Sequence, residues 1–138
     1  MTMREILFRG KCTREDRWVF GVTVPGFRDE LITSAEWFDD DDDYGLEVDR
    51  CSVCPETIGQ YTGLTDKNGT KIFEGDIVKL RLLAAKMEWK GVCEYRSGAF
   101  GLAWHYAGER YCTFAGTCNA EYEVLGNIHD NPELMEGE

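Results

Sequence analysis

Between two runs of β-forming residues, Gly59–Thr65 and Lys71–Phe73, the chain reads Asp66-Lys67-Asn68-Gly69. Asn-Gly at such a junction specifies a tight reversal, because both residues tolerate positive φ. A chain that reverses there pairs its flanking runs as neighbouring antiparallel strands. The same grammar continues on both sides. Short apolar runs recur at intervals of about ten residues, each closed by Gly, Asn or Asp, which is the pattern of an all-β chain.

Residues 5–9 are expected to form a first strand. Residues 17–24 are expected to form a second, with Trp18, Phe20 and Val22 on one face. Pro25-Gly26 turns the chain. Ser34 is expected to cap one helical turn through Trp37. The five consecutive aspartates at 39–43 then stop it, since adjacent carboxylates repel and Asp is a poor helix former. Glu74-Gly75-Asp76 is another turn. Residues 77–83 alternate, with Val78, Leu80 and Leu82 facing one way and Lys79 and Arg81 the other, as a half-buried strand requires.

Further strands are expected over 87–95 (Trp89, Cys93 and Tyr95 on one side), 99–106 (Phe100, Leu102, Trp104 and Tyr106), 111–114 and 122–128. Asn131-Pro132 can open one short C-terminal turn. The expected fold is mainly β with very little helix, in a single domain spanning 1–138. A small N-terminal β lobe, 1–56, packs on a C-terminal SH3-like small barrel, 57–138.

A chain of 138 residues buries about two thirds of its unfolded surface and requires no staple of disulfides or metal. Its net charge is −11, unevenly placed: −7 over residues 1–60, zero over 61–129 and −4 over the tail from Asp130. Such a field repels phosphate backbones, which argues against nucleic acid as a general partner and permits basic protein partners. Arg4, Glu5 and Arg9 interrupt any apolar leader, and no run approaches the roughly 18 apolar residues of a membrane helix. The expectation is a cytoplasmic protein with reduced cysteines and no membrane association.

At this point a resemblance enters. Residues 60–69, Gln-Tyr-Thr-Gly-Leu-Thr-Asp-Lys-Asn-Gly, followed by Ile72-Phe73-Glu74-Gly75-Asp76-Ile77-Val78, resemble the central block of the YopX family of phage and prophage proteins. Arg4-Glu5-Ile6-Leu7-Phe8-Arg9 resembles that family's opening strand. Glu123-Val124-Leu125-Gly126-Asn127-Ile128, with Asn131-Pro132-Glu133-Leu134, resembles its closing strand and tail. The resemblance implies a mainly β protein with a barrel-like C-terminal part. It implies no catalytic residues. Cys51, Cys54, the run 39–43 and the cysteines after residue 90 depart from the pattern. The shared block itself reads as architecture, because each residue meets the need of a turn or a strand.

Cys51-Ser-Val-Cys54 is a CxxC pair, which supplies two of the four ligands of a structural zinc. Cys112 and Cys118 are the candidates for the second pair, although five residues separate them. His105 is an alternative fourth ligand. Free thiols are the expectation, with no cofactor, and zinc is the alternative. A redox CxxC would need a helix N-terminus in a βαβ setting, which the pattern lacks. The run 39–43 offers oxygen ligands without the spaced loop of a calcium hand, so a solvated loop is expected. Lys79, Arg81, Lys86, Lys90 and Arg96 lie among Trp89, Tyr95 and Trp104. On a small barrel such a stretch can track a single strand, but core aromatics and wet lysines are the simpler reading. Cys112 and His105 admit a nucleophile pair only as a geometric option. His129 is expected to face solvent. There is no Gly-rich phosphate loop.

The expected function is therefore that of a non-catalytic phage or prophage accessory protein working through protein contacts, including self-association. The 17 aromatic side chains are many for one small core. The alternatives are a nucleic-acid-binding barrel and an acidic DNA mimic that inhibits a host DNA-binding protein.

Overall fold

The computed structural model describes residues 6–25, 30–40, 43–84, 86–105, 109–114 and 120–135, with backbone only over 24–49 and at 105, 109 and 110. The chain is mainly β and divides into two compact units, 1–60 and 61–138.

The first unit holds β1 (Phe8–Lys11), β2 (Trp18–Pro25), β3 (Glu30–Asp40) and β4 (Asp43–Val53), antiparallel in the order β4-β3-β2-β1. β1 pairs with β2 from Phe8↔Gly21 to Lys11↔Trp18. It thus lies slightly later than the strand expected over 5–9; Glu5 itself falls outside the described residues. The larger correction concerns Ser34–Trp37, which are extended in β3 and not helical. β3 pairs along its whole length with β4, from Glu30↔Val53 to Asp40↔Asp43, and also with β2. An isolated helical turn gains too few hydrogen bonds to offset its nucleation cost. Ser34–Trp37 instead continue the ladder with Leu46–Asp49 of β4, and the preceding Glu30–Thr33 are paired with β2 as well. Asp39, Asp40 and Asp43 therefore lie at the ends of two long strands, and residues 41–42 fall outside the described residues.

At its other end this sheet curls back on itself. The Thr13 N–H donates to Ser52 O at 3.0 Å and the Cys54 N–H to Lys11 O at 3.0 Å, with Cys12 opposite Val53. Val53 is fully buried there. It sits against Gly10, where a Cβ would come within 2.9 Å of the valine side chain. Only glycine permits that approach. A 3₁₀ turn over Pro55–Thr57 follows. The Thr57 hydroxyl ties it down, donating to Cys54 O at 2.6 Å and accepting from the Lys11 N–H at 2.8 Å. The first residues of β5 (Gly59–Thr65) then pair with β1 through Phe8↔Gln60 and Arg9↔Gly59.

In the second unit, β5 continues and turns into β6 (Lys71–Phe73). The reversal falls where Asn68-Gly69 predicts it, by a different turn. Gly69 alone adopts positive φ, at 83°, and its N–H donates to Asp66 O at 3.0 Å. Lys67 and Asn68 are thus the central residues, and glycine takes the left-handed position after them. Five antiparallel strands follow: β7 (Asp76–Leu82), β8 (Met87–Arg96), β9 (Ala99–His105), β10 (Glu109–Thr113) and β11 (Ala120–Asn127), in the order β10-β9-β8-β7-β11. Their period-2 faces match the sequence. Val78, Leu80, Cys93 and Leu102 are buried together with Ile72 and Phe114, and Trp89, Phe100, Trp104, Tyr122 and Val124 pack against them. The Asp76 carboxylate accepts the Phe73 N–H at 2.8 Å, as a turn aspartate should. Pro132–Met135 form the expected short C-terminal turn, as a 3₁₀ helix. Among the described residues no helix is long and apolar enough to cross a membrane.

Candidate functional site

The curl of the first sheet creates its most chemically distinctive feature. Cys12 directly follows β1, and Cys51 lies on β4. Although 39 residues apart in sequence, their sulfurs lie 3.1 Å from one another, the Cys51 thiol donating to Cys12 Sγ. That is closer than ordinary van der Waals contact of two sulfurs. Cys12 is 8 % exposed and Cys51 half-buried. Both border a cleft of about 360 Å3 whose other walls are Thr13, Ser52 and the charged side chains of Arg14, Glu15, Arg17 and Arg50.

The surroundings of Cys12 lower its pKa from the ordinary thiol value. The hydrogen bond from Cys51 lowers its pKa most, followed by the backbone N–H of Arg14. The Glu15 N–H and the Arg17 guanidinium act in the same direction, and burial opposes them. Arg17 is itself held by Glu15, Nε to Oε2 at 2.6 Å, and that hydrogen bond raises the arginine's pKa. A thiolate is the nucleophilic form of cysteine, and these contacts shift Cys12 toward it, with a second thiol in contact.

Cys54, the other half of the CxxC pair, does not border this cleft. Its backbone is extended, φ −70° and ψ 118°. Side chains three apart on an extended chain leave opposite faces. Cys112 lies on β10, half-buried, with its thiol directed to Thr113 O at 3.5 Å. Cys118 lies outside the described residues. Among the described residues no group of three or more His, Cys, Asp or Glu is gathered as a metal ion requires.

The β9–β10 register sets His105 opposite Glu109 and Cys112 opposite Leu102. His105 and Cys112 are thus three ladder positions apart, about 10 Å along the strand. His129 is partly exposed, in a turn held by the Asn127 side chain, whose Oδ1 accepts the His129 N–H at 3.0 Å and the Asp130 N–H at 2.9 Å.

The basic stretch is interleaved with acids. Arg96 meets Glu94 at 2.7 Å, Arg81 meets Glu88 at 3.9 Å and Lys79 meets Glu123 at 4.0 Å. Trp89 and Trp104 stack on the core with centroids 6.0 Å apart. Tyr95 stays 55 % exposed, edge-on to Phe100. Trp89 and Trp104 are core-packed, as the simpler sequence reading has it, whereas Tyr95 is exposed and departs from it.

Cys12 carries no sequence signal of its own. Nothing local ties residue 12 to residue 51, and the nearer Cys54 draws the eye.

Comparison with known proteins places these observations. The family model described as YopX protein matches residues 7–136. A crystal structure of protein EF1440 from Enterococcus faecalis superposes with a TM-score of 0.55 at 24 % sequence identity, covering 97 % of this chain and 100 % of that one. At that identity the likeness concerns the fold alone. No curated protein matches the sequence.

Proposed function

This chain belongs to the YopX family, and from that premise we propose that it is a phage- or prophage-encoded accessory protein that acts in the host cytoplasm without catalysis, through contact with a basic protein partner. The observation that carries the reading lies on β2. Phe20 and Val22 leave one face of that strand, two residues apart, and each remains 47 % exposed. Trp18 continues the row, its ring covered by Arg9 at 4.7 Å and Lys11 at 5.4 Å from the centroid. A partly exposed apolar row on a strand is the kind of surface a protein partner covers. Residues 1–60 together sum to −7. The complementary partner therefore presents an apolar patch rimmed by Lys and Arg. The same charge argues against nucleic acid as the ligand.

The test is affinity capture from host lysate at low salt, with the native chain and the Phe20→Glu/Val22→Glu variant side by side. A basic protein retained by the native chain, lost with the variant and released as salt rises supports the reading. If that protein is a DNA-binding protein displaced by DNA, the mechanism is mimicry. Equal retention by both chains sinks the β2 assignment. A dimer mass by light scattering that the variant abolishes replaces the basic partner with a second copy.

A further inference from the structure

The paired thiols play no part in the partner reading, and they carry an inference that stands independently of it. We propose that Cys12 and Cys51 are a redox-responsive dithiol whose oxidant is a carboxylate-bearing low-molecular-weight disulfide, held in the adjoining cleft by Arg14 and Arg50.

Three observations converge. The sulfurs are already in contact at 3.1 Å, so joining them at the ~2.05 Å of a disulfide bond needs about 1 Å of movement. Their backbones are pinned next to each other by the Thr13 and Cys54 hydrogen bonds and the Cys12–Val53 bridge. The cleft beside them, of about 360 Å3, falls in the range that accepts a small molecule. Arg17 is engaged with Glu15 at 2.6 Å. Arg14 and Arg50 are exposed on the cleft wall and offer two guanidiniums, whose fork geometry suits carboxylates. Two sulfurs alone do not complete a zinc site, which takes four ligands. Cys54 lies off the cleft, and Cys93 is 1 % exposed within the second unit's core. Among the described cysteines, Cys12 and Cys51 alone line the cleft.

The exchange balances as follows. The Cys12 thiolate attacks one sulfur of the small disulfide RSSR, forming a mixed disulfide and releasing RS⁻. Cys51 then loses its proton and attacks Cys12 Sγ, releasing the second RS⁻, which takes up that proton. The protein gives up two electrons and becomes Cys12–Cys51 disulfide; RSSR becomes RS⁻ and RSH. Cys12 is assigned the attack because its sulfur accepts the hydrogen bond of the Cys51 thiol at 3.1 Å, and Cys51 resolves because that contact already aims its sulfur at Cys12 Sγ.

The experiment treats the full reduced chain with glutathione disulfide, quenches by alkylation and maps cysteine peptides by mass spectrometry over time. The expected product is the Cys12–Cys51 crosslink ahead of any modification at Cys54, Cys93 or Cys112. Cys51→Ser is expected to stop at a glutathione adduct on Cys12. Arg14→Ala with Arg50→Ala is expected to slow the reaction with glutathione disulfide about tenfold, as loss of electrostatic attraction does, and to leave the rate with neutral hydroxyethyl disulfide unchanged. Absence of the crosslink in the native chain overturns the proposal. Equal slowing with both disulfides overturns the anionic recognition. Faster crosslinking by hydrogen peroxide than by glutathione disulfide overturns the choice of oxidant.

Discussion

Replacing Asp66 by Asn changes one carboxylate oxygen to an amide nitrogen at the hub of the second unit. Asp66 is 7 % exposed. Its Oδ1 accepts the N–H groups of Asn68 and Thr70, each at 2.9 Å, which closes the β5–β6 turn. Its Oδ2 accepts the N–H of Val124 at 2.9 Å, 58 residues away on β11. An asparagine that keeps its oxygen toward the turn presents its NH2 to the Val124 N–H, donor against donor. Flipping the amide rescues Val124 and orphans both turn amides. The first choice loses less. A lost hydrogen bond to a charged group costs about 1.5–3 kcal/mol. The two retained bonds weaken toward neutral strength, and easier burial of an uncharged amide offsets part of that. The expected loss is about 2–3 kcal/mol, which at a urea slope of about 2 kcal/mol/M moves the unfolding midpoint down by about 1–1.5 M. Tryptophan fluorescence reports the midpoint, and hydrogen exchange at Val124 should accelerate first. The pH dependence supplies a second check. Burial pushes the Asp66 pKa up, but the Val124, Thr70 and Asn68 amides and the Lys67 ammonium together hold it below the ordinary carboxylate value. The unfolded chain then binds this proton first as pH falls. The stability Asp66 contributes is present above its unfolded pKa of about 3.9 and is lost as pH drops through the lower folded value. The gap between the native chain and the variant should therefore close in acid. A variant within about 0.5 kcal/mol of the native chain at neutral pH, the scatter of neutral surface changes, would falsify the assignment of Asp66 as the link between turn and sheet.

Three further outcomes follow from the same unit. Leu102→Ala, at a side chain 2 % exposed in the core, should cost about 2–5 kcal/mol, read as a lower thermal midpoint with the far-ultraviolet β signal retained below it. Gly69→Ala forces a Cβ onto a residue at φ 83° and should cost about 1–2 kcal/mol in a urea titration. Lys67→Gln removes the 2.8 Å contact with Glu123, whose pKa Lys67 holds low chiefly by that hydrogen bond; a carboxylate NMR titration should show Glu123 protonating at higher pH in the variant.

Sequence alone determined the turns and the half-buried strands of the second unit. These are local properties. A period-2 alternation such as Val78-Lys79-Leu80-Arg81 sets which face is buried wherever the strand lies. A glycine at positive φ after Asp66-Lys67-Asn68 sets the reversal whatever it packs against. Asp76 and Asp66 could both be read as turn residues, although the reach of Asp66 to Val124 across 58 residues could not. Tertiary structure alone decided β3 and β4. Their residues include serine, alanine, glutamate and aspartate, several of them poor strand formers by composition, and they are extended because each is paired along eleven residues with the other. It also decided the thiol pair. Sequence proximity joins Cys51 to Cys54, but an extended chain sends those two side chains to opposite faces. Curling of the sheet instead brings Cys51 to Cys12, 39 residues away. The hydrogen bonds that close that curl form between segments with no local relation, so no window of sequence contains them.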